Sequence, residues 1–389
     1  MQYGLTEEQQ DFRDSVRRWV DREWPKDRAR EIEGRDSFPH ELWDSMKLLE
    51  LHGIAVGEEY GGQAASVTTQ TIVARELSRS LAYMTWVWAT TSFCGKTLEA
   101  SGQEELKRDL LPKVVSGDAR FAIAVTEPDG GTDLIGAMKT NAVPVDGGWR
   151  LNGAKVWSTQ AHISDYLMVI ARTDDDVDKR SEGLTLFFVP RESPGIEIQM
   201  LPKLGMRSIG SCQVFFDDVE VADRYVIGEP GKGWRALLSG LNNERILQAA
   251  VCTGIIDGIL EDALAYAQER QAFGKPIGQF QAIQHFIADI AMAQAQSELM
   301  VRHAAAIQEA GTADRIEAGR AATMAKVVVS ELATKAADTG IQILGGAGYS
   351  METDMQRYWR DVRLARIGPI TNEMARNTIA EGLGLPRSF

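Results

Sequence analysis

Apolar positions in the first 120 residues recur at helical spacing. Leu5 precedes Thr6, and Gln9 follows three residues later, which reads as a capping box with an apolar staple residue before it. Phe12, Val16, Trp19 and Val20 then share one helical face. Residues 40–51, 66–82 and 103–116 continue in the same style, broken by turns such as Glu59-Tyr60-Gly61-Gly62. No strand pattern of note precedes residue 120. After it come short β-branched or aromatic runs at 121–125, 149–157, 166–172, 184–189, 196–200 and 211–221, separated by Gly, Asp and Pro. Their spacing predicts a small antiparallel barrel or sandwich. From Gly233 the period is helical again, at about 234–269, 279–309, 313–344 and 372–383, and long helices with short joints predict a four-helix bundle. The expected class is therefore α+β: an N-terminal helical domain over 1–120, a middle β domain over 121–232 and a C-terminal helical bundle over 233–389.

Composition narrows the function classes. The chain has 389 residues, 44% hydrophobic and 25% charged, as in ordinary globular proteins, and its length suggests two or three domains. A formal charge of −13 argues against nucleic acid or an anionic membrane as the main partner. No run approaches ~18 apolar residues, so no membrane span is expected. The acidic start lacks the marks of a signal or transit peptide. Cys94, Cys212 and Cys252 are scattered without metal spacing; they fit reduced, buried thiols in a cytoplasmic protein, and no metal site is expected. The charged run 173–182 reads as a solvated loop. Two glycine-rich segments carry no nucleotide chemistry. Gly228–Gly233 lacks phosphate-loop spacing, and Gly345-Gly346-Ala347-Gly348 does not follow a strand.

The chemistry is concentrated in two segments. Ala124-Val125-Thr126 is an apolar run that breaks at Pro128 into a loop, Asp129-Gly130-Gly131-Thr132-Asp133, rich in backbone and hydroxyl donors. About thirty residues later Trp157-Ser158-Thr159 sets a flat indole beside two hydroxyls at the end of a strand-like run. A flat apolar wall next to hydrogen-bond donors suits a planar heteroaromatic cofactor.

Together these segments resemble the acyl-CoA dehydrogenase family, whose flavin signature is Thr-Glu-Pro followed by a small-residue loop ending in Thr/Ser-Asp. Gly130 and Thr132 stand where the family usually has Ala and Ser. The resemblance continues through Lys203-Leu204-Gly205-Met206-Arg207, Val214–Val219, Arg270–Lys275, Gln342–Tyr349 and Arg360-Asp361. It implies the same helix–sheet–helix architecture and an FAD cofactor. By resemblance, Val125 and Thr126 lie along the isoalloxazine edge, Thr132 contacts the pyrophosphate and borders the substrate channel, Trp157 packs on the ring, and Thr159 donates to N5. Arg270, Phe273, Gln342 and Gly346 match contacts to the FAD of a neighbouring subunit, and Thr371 a contact near the pyrophosphate. A cofactor shared between chains implies a homo-oligomer, most simply a tetramer.

Removing hydrogen across Cα–Cβ of an acyl thioester needs a carboxylate for the α-proton and donors on the thioester oxygen. The family's usual base is a Glu after the last Arg-Asp motif, and that position here is Pro369. Isovaleryl- and long-chain-type members carry the Glu in a Glu-Arg pair after a Gly-Leu segment instead. Gly240-Leu241-Asn242-Asn243-Glu244-Arg245 matches that pattern, which implies Glu244 as base and Arg245 as a substrate-side neighbour. Pro369 also lacks the N–H that the family aims at the thioester oxygen. Three readings follow: an acyl-CoA dehydrogenase that passes electrons to an electron-transfer flavoprotein; a same-fold flavoenzyme with other chemistry, such as enoyl reduction, desulfination or monooxygenation; and a non-catalytic partner subunit. CoA and a carrier protein are both open as carriers of the thioester. The Trp- and Thr-rich stretch 84–92 hints at a small or unusual acyl group.

Overall fold

A computed structural model describes residues 4–386 apart from Asp36, Ser239, Thr312 and Ala313. The expected helix start at residue 313 and the extreme termini therefore lie outside the described residues. The N-terminal helices are α1 (Glu7–Glu23), α2 (Lys26–Glu33), α3 (His40–Ser45), α4 (Val67–Ser101) and α5 (Glu104–Val115). The capping box is present: the Gln9 N–H donates to the Thr6 hydroxyl at 3.2 Å, and the Thr6 N–H donates to the Gln9 side chain at 3.1 Å. Val16, Trp19 and Val20 are buried. The helix expected to end at 82 instead runs on for 35 residues as α4, with a kink at Leu81 (φ −133°, ψ 71°) where the end was expected. It is buried nearly all round, so the amphipathic stripe that would have marked its second half is missing.

The strands are β1 (Phe121–Ala124), β2 (Asn141–Val145), β3 (Gly148–Thr159), β4 (Tyr166–Arg172), β5 (Leu184–Pro190), β6 (Ile196–Leu201), β7 (Ser211–Ala222) and β8 (Val226–Ile227). They form one sheet in the order β6-β7-β3-β2-β4-β5-β8, with β1 beside β4. The expected antiparallel barrel or sandwich is thus corrected to a mixed sheet that does not close, because β1 and β2 both meet β4 in parallel. Its two halves fold over each other: Leu151, Val214 and Val219 share a core with Leu167, Val169 and Phe187. β2 was not expected; it is mostly exposed and contains Pro144, so neither alternation nor propensity marks it.

The C-terminal part contains α6 (Gly233–Leu238), α7 (Leu241–Glu269), the hairpin β9 (Gln271–Ala272) and β10 (Lys275–Pro276), α8 (Gln281–Ala310), α9 (Arg315–Leu344), α10 (Gly346–Tyr349), α11 (Met355–Val362) and α12 (Asn372–Gly382). The single helix expected from 234 to 269 is interrupted near Gly240, where an added Cβ would meet the Phe93 ring of α4 at 2.3 Å. α7 packs along α4 and α9, and this apolar interface is the largest core.

Two family-like blocks meet where all three parts join. The Asp361 carboxylate accepts from the Met206 N–H at 2.6 Å, while Arg360 donates to Leu204 O and to Glu33 of α2, each at 3.0 Å. An added Cβ at Gly205 would lie 2.7 Å from Arg360 O, so the loop needs glycine there.

Candidate flavin and thioester site

β1 and β3 build the first half of the site around a buried ion pair. Lys155, inward-facing and wholly buried, donates to Glu127 at 2.8 Å and to Val125 O at 3.2 Å. Glu127 also accepts from the N–H groups of Lys139 (2.7 Å) and Thr140 (2.9 Å). Burial pushes the Lys155 ammonium down to about 8 against the pull of Glu127. Burial works against ionised Glu127 too, but Lys155 and the two N–H donors hold its carboxyl below the ordinary value. Glu127 is the glutamate of the Thr-Glu-Pro signature, but its partner Lys155 was not singled out in the sequence, although a lysine amid the apolar positions of β3 was a usable signal.

The pair fixes the chain on both sides of a bulge. The Val156 N–H leaves the sheet ladder and donates to Thr126 O at 2.8 Å. The pairing of β3 with β7 slips between Lys155 and Ser158, and Trp157 adopts a left-handed φ of 61°. The indole is therefore turned out of the sheet and is 59% exposed, while Ser158 is buried and Thr159 half-buried. A large ring held out from a strand by a strained backbone, beside the half-buried Val125, Thr126 and Thr159, is a surface shaped for a flat partner. Thr132 lies exposed on the adjoining loop, where a Cβ added at Gly131 would meet nothing within 4 Å. These residues fit a flavin.

The second half is the first turn of α7. Leu241 covers the same apolar cluster as Val125, together with Phe93 and Cys94 of α4. Glu244, one turn in, makes no side-chain hydrogen bond among the described residues. Burial pushes its carboxyl up to about 7, opposed by the neighbouring Arg245. Cys94 lies within electrostatic reach of Glu244; burial, then that carboxylate, keeps its thiol protonated. Arg245 is half-buried and donates to the Thr323 hydroxyl of α9 at 3.2 Å.

Pro369 lies exposed on the loop between α11 and α12, with buried Gln248 and Lys326 holding the carbonyls on either side of it. Thr371 is the N-cap of α12, accepting from the Met374 N–H at 3.2 Å; its hydroxyl proton remains available to a phosphate or ribose oxygen.

Four expected cofactor residues lie elsewhere. At about 1.5 Å per residue, α7 carries Arg270 roughly 40 Å from Glu244. Arg270 is exposed, and Phe273, at the tip of the β9–β10 hairpin, is 96% exposed with φ 53°. Gln342 and Gly346, both exposed, flank the C-terminal end of α9.

Residues 6–118, 122–219 and 231–384 match, in order, the N-terminal, middle and C-terminal domains described for acyl-CoA dehydrogenases. The chain belongs to the acyl-CoA dehydrogenase family. It is 36% identical over 383 residues to the mitochondrial 2-methylacyl-CoA dehydrogenase of Solanum tuberosum, covering 97% of this chain and 91% of the relative. Against the mitochondrial isovaleryl-CoA dehydrogenase of Oryza sativa subsp. japonica it is 35% identical over 379 residues, covering 96% and 91%. The solved FAD complex of PigA matches with a TM-score of 0.92 at 27% identity, covering 99% of this chain and 100% of that one. This acyl-CoA dehydrogenase family member is accordingly a flavin-dependent oxidoreductase, and FAD is the family cofactor. No helix among the described residues is long and apolar enough to cross a membrane.

Proposed function

We propose that the chain desaturates a short, branched acyl-CoA at Cα–Cβ, with Glu244 as the base. The observation that carries this reading is the Glu244 carboxyl: half-buried in the first turn of α7, pushed up to about 7 by desolvation against the field of Arg245, and within electrostatic reach of Cys94 on α4, whose neighbour Phe93 shares an apolar cluster with Val125 of the flavin segment. Bound FAD supplies the two-electron acceptor for the hydride leaving Cβ. Val125, Thr126, Trp157 and Thr159 hold its ring, Thr132 and Thr371 serve the pyrophosphate region, and Thr132 also borders the thioester. Glu244 takes the α-proton, so that the product is the 2,3-unsaturated thioester and one proton rests on the carboxylate. Arg245 limits how far burial raises that carboxyl and borders the substrate. The names of the two plant relatives support a branched acyl group, and Pro369 supports it too, since a base at that position would take up space.

The test is anaerobic addition of isovaleryl-CoA, 2-methylbutyryl-CoA and straight-chain thioesters, free or carrier-bound, while flavin absorbance is followed. Rapid bleaching by a branched thioester is expected. Because only the ionised carboxylate accepts a proton, the bleaching rate should climb with pH through about 7 and level off above it. A rate that is flat between pH 6 and 8 would count against Glu244. One observation favours other chemistry at this site, namely that Pro369 has no N–H for the thioester oxygen. Absent bleaching, with rapid reoxidation of chemically reduced enzyme by O₂, would make enoyl reduction, desulfination or monooxygenation the better reading.

The reading extends to assembly. Arg270, Phe273, Gln342 and Gly346 lie too far along the bundle to serve their own chain's flavin, so they serve the flavin of a neighbour in a homotetramer. The exposed Met292 and Leu299 of α8, seven residues apart on one face, add apolar surface for such a contact. Light scattering should give a mass well above one chain, and Arg270→Ala should release FAD while helix content is kept. A monomer with FAD fully bound would refute the shared site. An electron-transfer flavoprotein is the proposed electron acceptor, and three buried free cysteines suit a reducing compartment such as the cytoplasm.

A further inference from the structure

We infer that Gln248 is a positioning residue that sets the gap between the base on α7 and the loop carrying Pro369. The inference rests on Glu244 being the base. Gln248 stands four residues after Glu244, one turn along the same helix face. It is 1% exposed, and its amide nitrogen spends both protons on the loop: on Ala365 O at 3.1 Å and on Gly368 O at 2.5 Å. On the other side of Pro369, Lys326 of α9 holds Ile370 O and donates to Asn372 at 2.7 Å. The carbonyls flanking Pro369 are thus pinned by two bundle helices, and one pin grows from the turn that bears Glu244.

The choice of side chain has a chemical reason. Two carbonyl oxygens need two N–H donors from one residue, which Gln, Lys and Arg can provide. Lys or Arg would put a further cation one turn from Glu244 and pull its carboxyl back toward the ordinary range, adding to what Arg245 already does. The neutral amide holds the loop without spoiling the base. Pro369 makes that hold more important, because without an N–H of its own it bears on the thioester only by its shape and position. A misplacement of about 1 Å in such a site can cost on the order of 10²-fold in rate.

The test uses the FAD-loaded enzyme and isovaleryl-CoA, with Gln248→Met, which keeps length but has no donors, and Gln248→Asn, which keeps the amide but cannot span both carbonyls. Gln248→Met should slow flavin reduction about 10- to 100-fold with KM changed less than about threefold. FAD content should stay native, and amide exchange over residues 363–368 should quicken. Gln248→Asn should fall between Met and native. In a Glu244→Gln background, Gln248→Met should add almost nothing, since there is no base left to align. Slow Glu244→Gln with a native-rate Gln248→Met or Gln248→Asn overturns the positioning role alone, as do effects that multiply in the double variant. A native-rate Glu244→Gln overturns the base assignment itself, and the positioning role with it.

Discussion

Glu244→Gln is expected to keep the fold, FAD and thioester binding but slow flavin reduction by at least ~10²-fold, the usual scale for loss of a general base. The substitution is nearly isosteric. It also removes a charge that the surroundings already oppose, since burial raises the native carboxyl to about 7. Stability should therefore hold or rise slightly at pH 8, where the native carboxylate is mostly ionised in a desolvated place. The sign follows from linkage: a carboxyl whose folded pKa lies above its unfolded value costs stability as pH climbs between the two. The variant thus separates chemistry from folding, and the two readouts should move in opposite directions. Single-turnover reduction and urea denaturation, both at pH 8, check the pair of outcomes. A native reduction rate removes Glu244 from the chemistry.

The second large effect is structural. Lys155→Met leaves the Glu127 carboxylate buried without its cation and is expected to destabilise the protein by about 3–5 kcal/mol, the range for breaking one side of a buried ion pair. The loss should fall on the flavin segments first, because Lys155 also holds Val125 O and Glu127 holds the N–H groups of Lys139 and Thr140. FAD retention should drop before global unfolding, as seen by comparing flavin release with loss of helix signal during urea titration. Adding Glu127→Gln to Lys155→Met should recover part of the lost stability, since no buried charge remains, although the single amide oxygen replaces only one of the two acceptors that Lys139 and Thr140 use. A Lys155→Met variant within 1 kcal/mol of native, with FAD retained, would mean that the pair is not what holds the bulge.

The buried contacts that these variants probe were the least visible part of the site in the sequence. Thr126, Trp157 and Thr159 could be singled out because a flat ring and hydroxyls at a strand end have few structural reasons to occur together. Glu127 stood in the Thr-Glu-Pro signature with no role of its own, and Lys155 went unmarked, although their ion pair fixes the chain beside Trp157. Their partnership spans 28 positions and produces no local pattern. The same holds for Gln248 and Lys326, which lie on helices and hold a loop more than forty residues away. Periodicity reports which face of an element is buried, not which distant backbone atom a buried polar group will reach.

Several features of this protein were determined by its sequence alone. The alternation of helical and strand periods placed the all-helical, sheet and bundle regions, because hydrophobic spacing is a local consequence of which face must leave water. The Thr6–Gln9 cap was legible for the same reason: both partners lie within one turn. The ordered motifs carried the family. Other features required the tertiary structure. α4 continues past Leu81 buried nearly all round, against α7, α1, α5 and β1, so no stripe was written into its sequence. The sheet is mixed because β1 returns beside β4 rather than forming a hairpin, a pairing decided by packing across 45 positions. Resemblance marked Glu244 in the sequence, but the raised value of its carboxyl comes only from tertiary burial. A carboxylate on an exposed helix would keep an ordinary pKa, and its environment is built by residues that the local sequence around it does not contain.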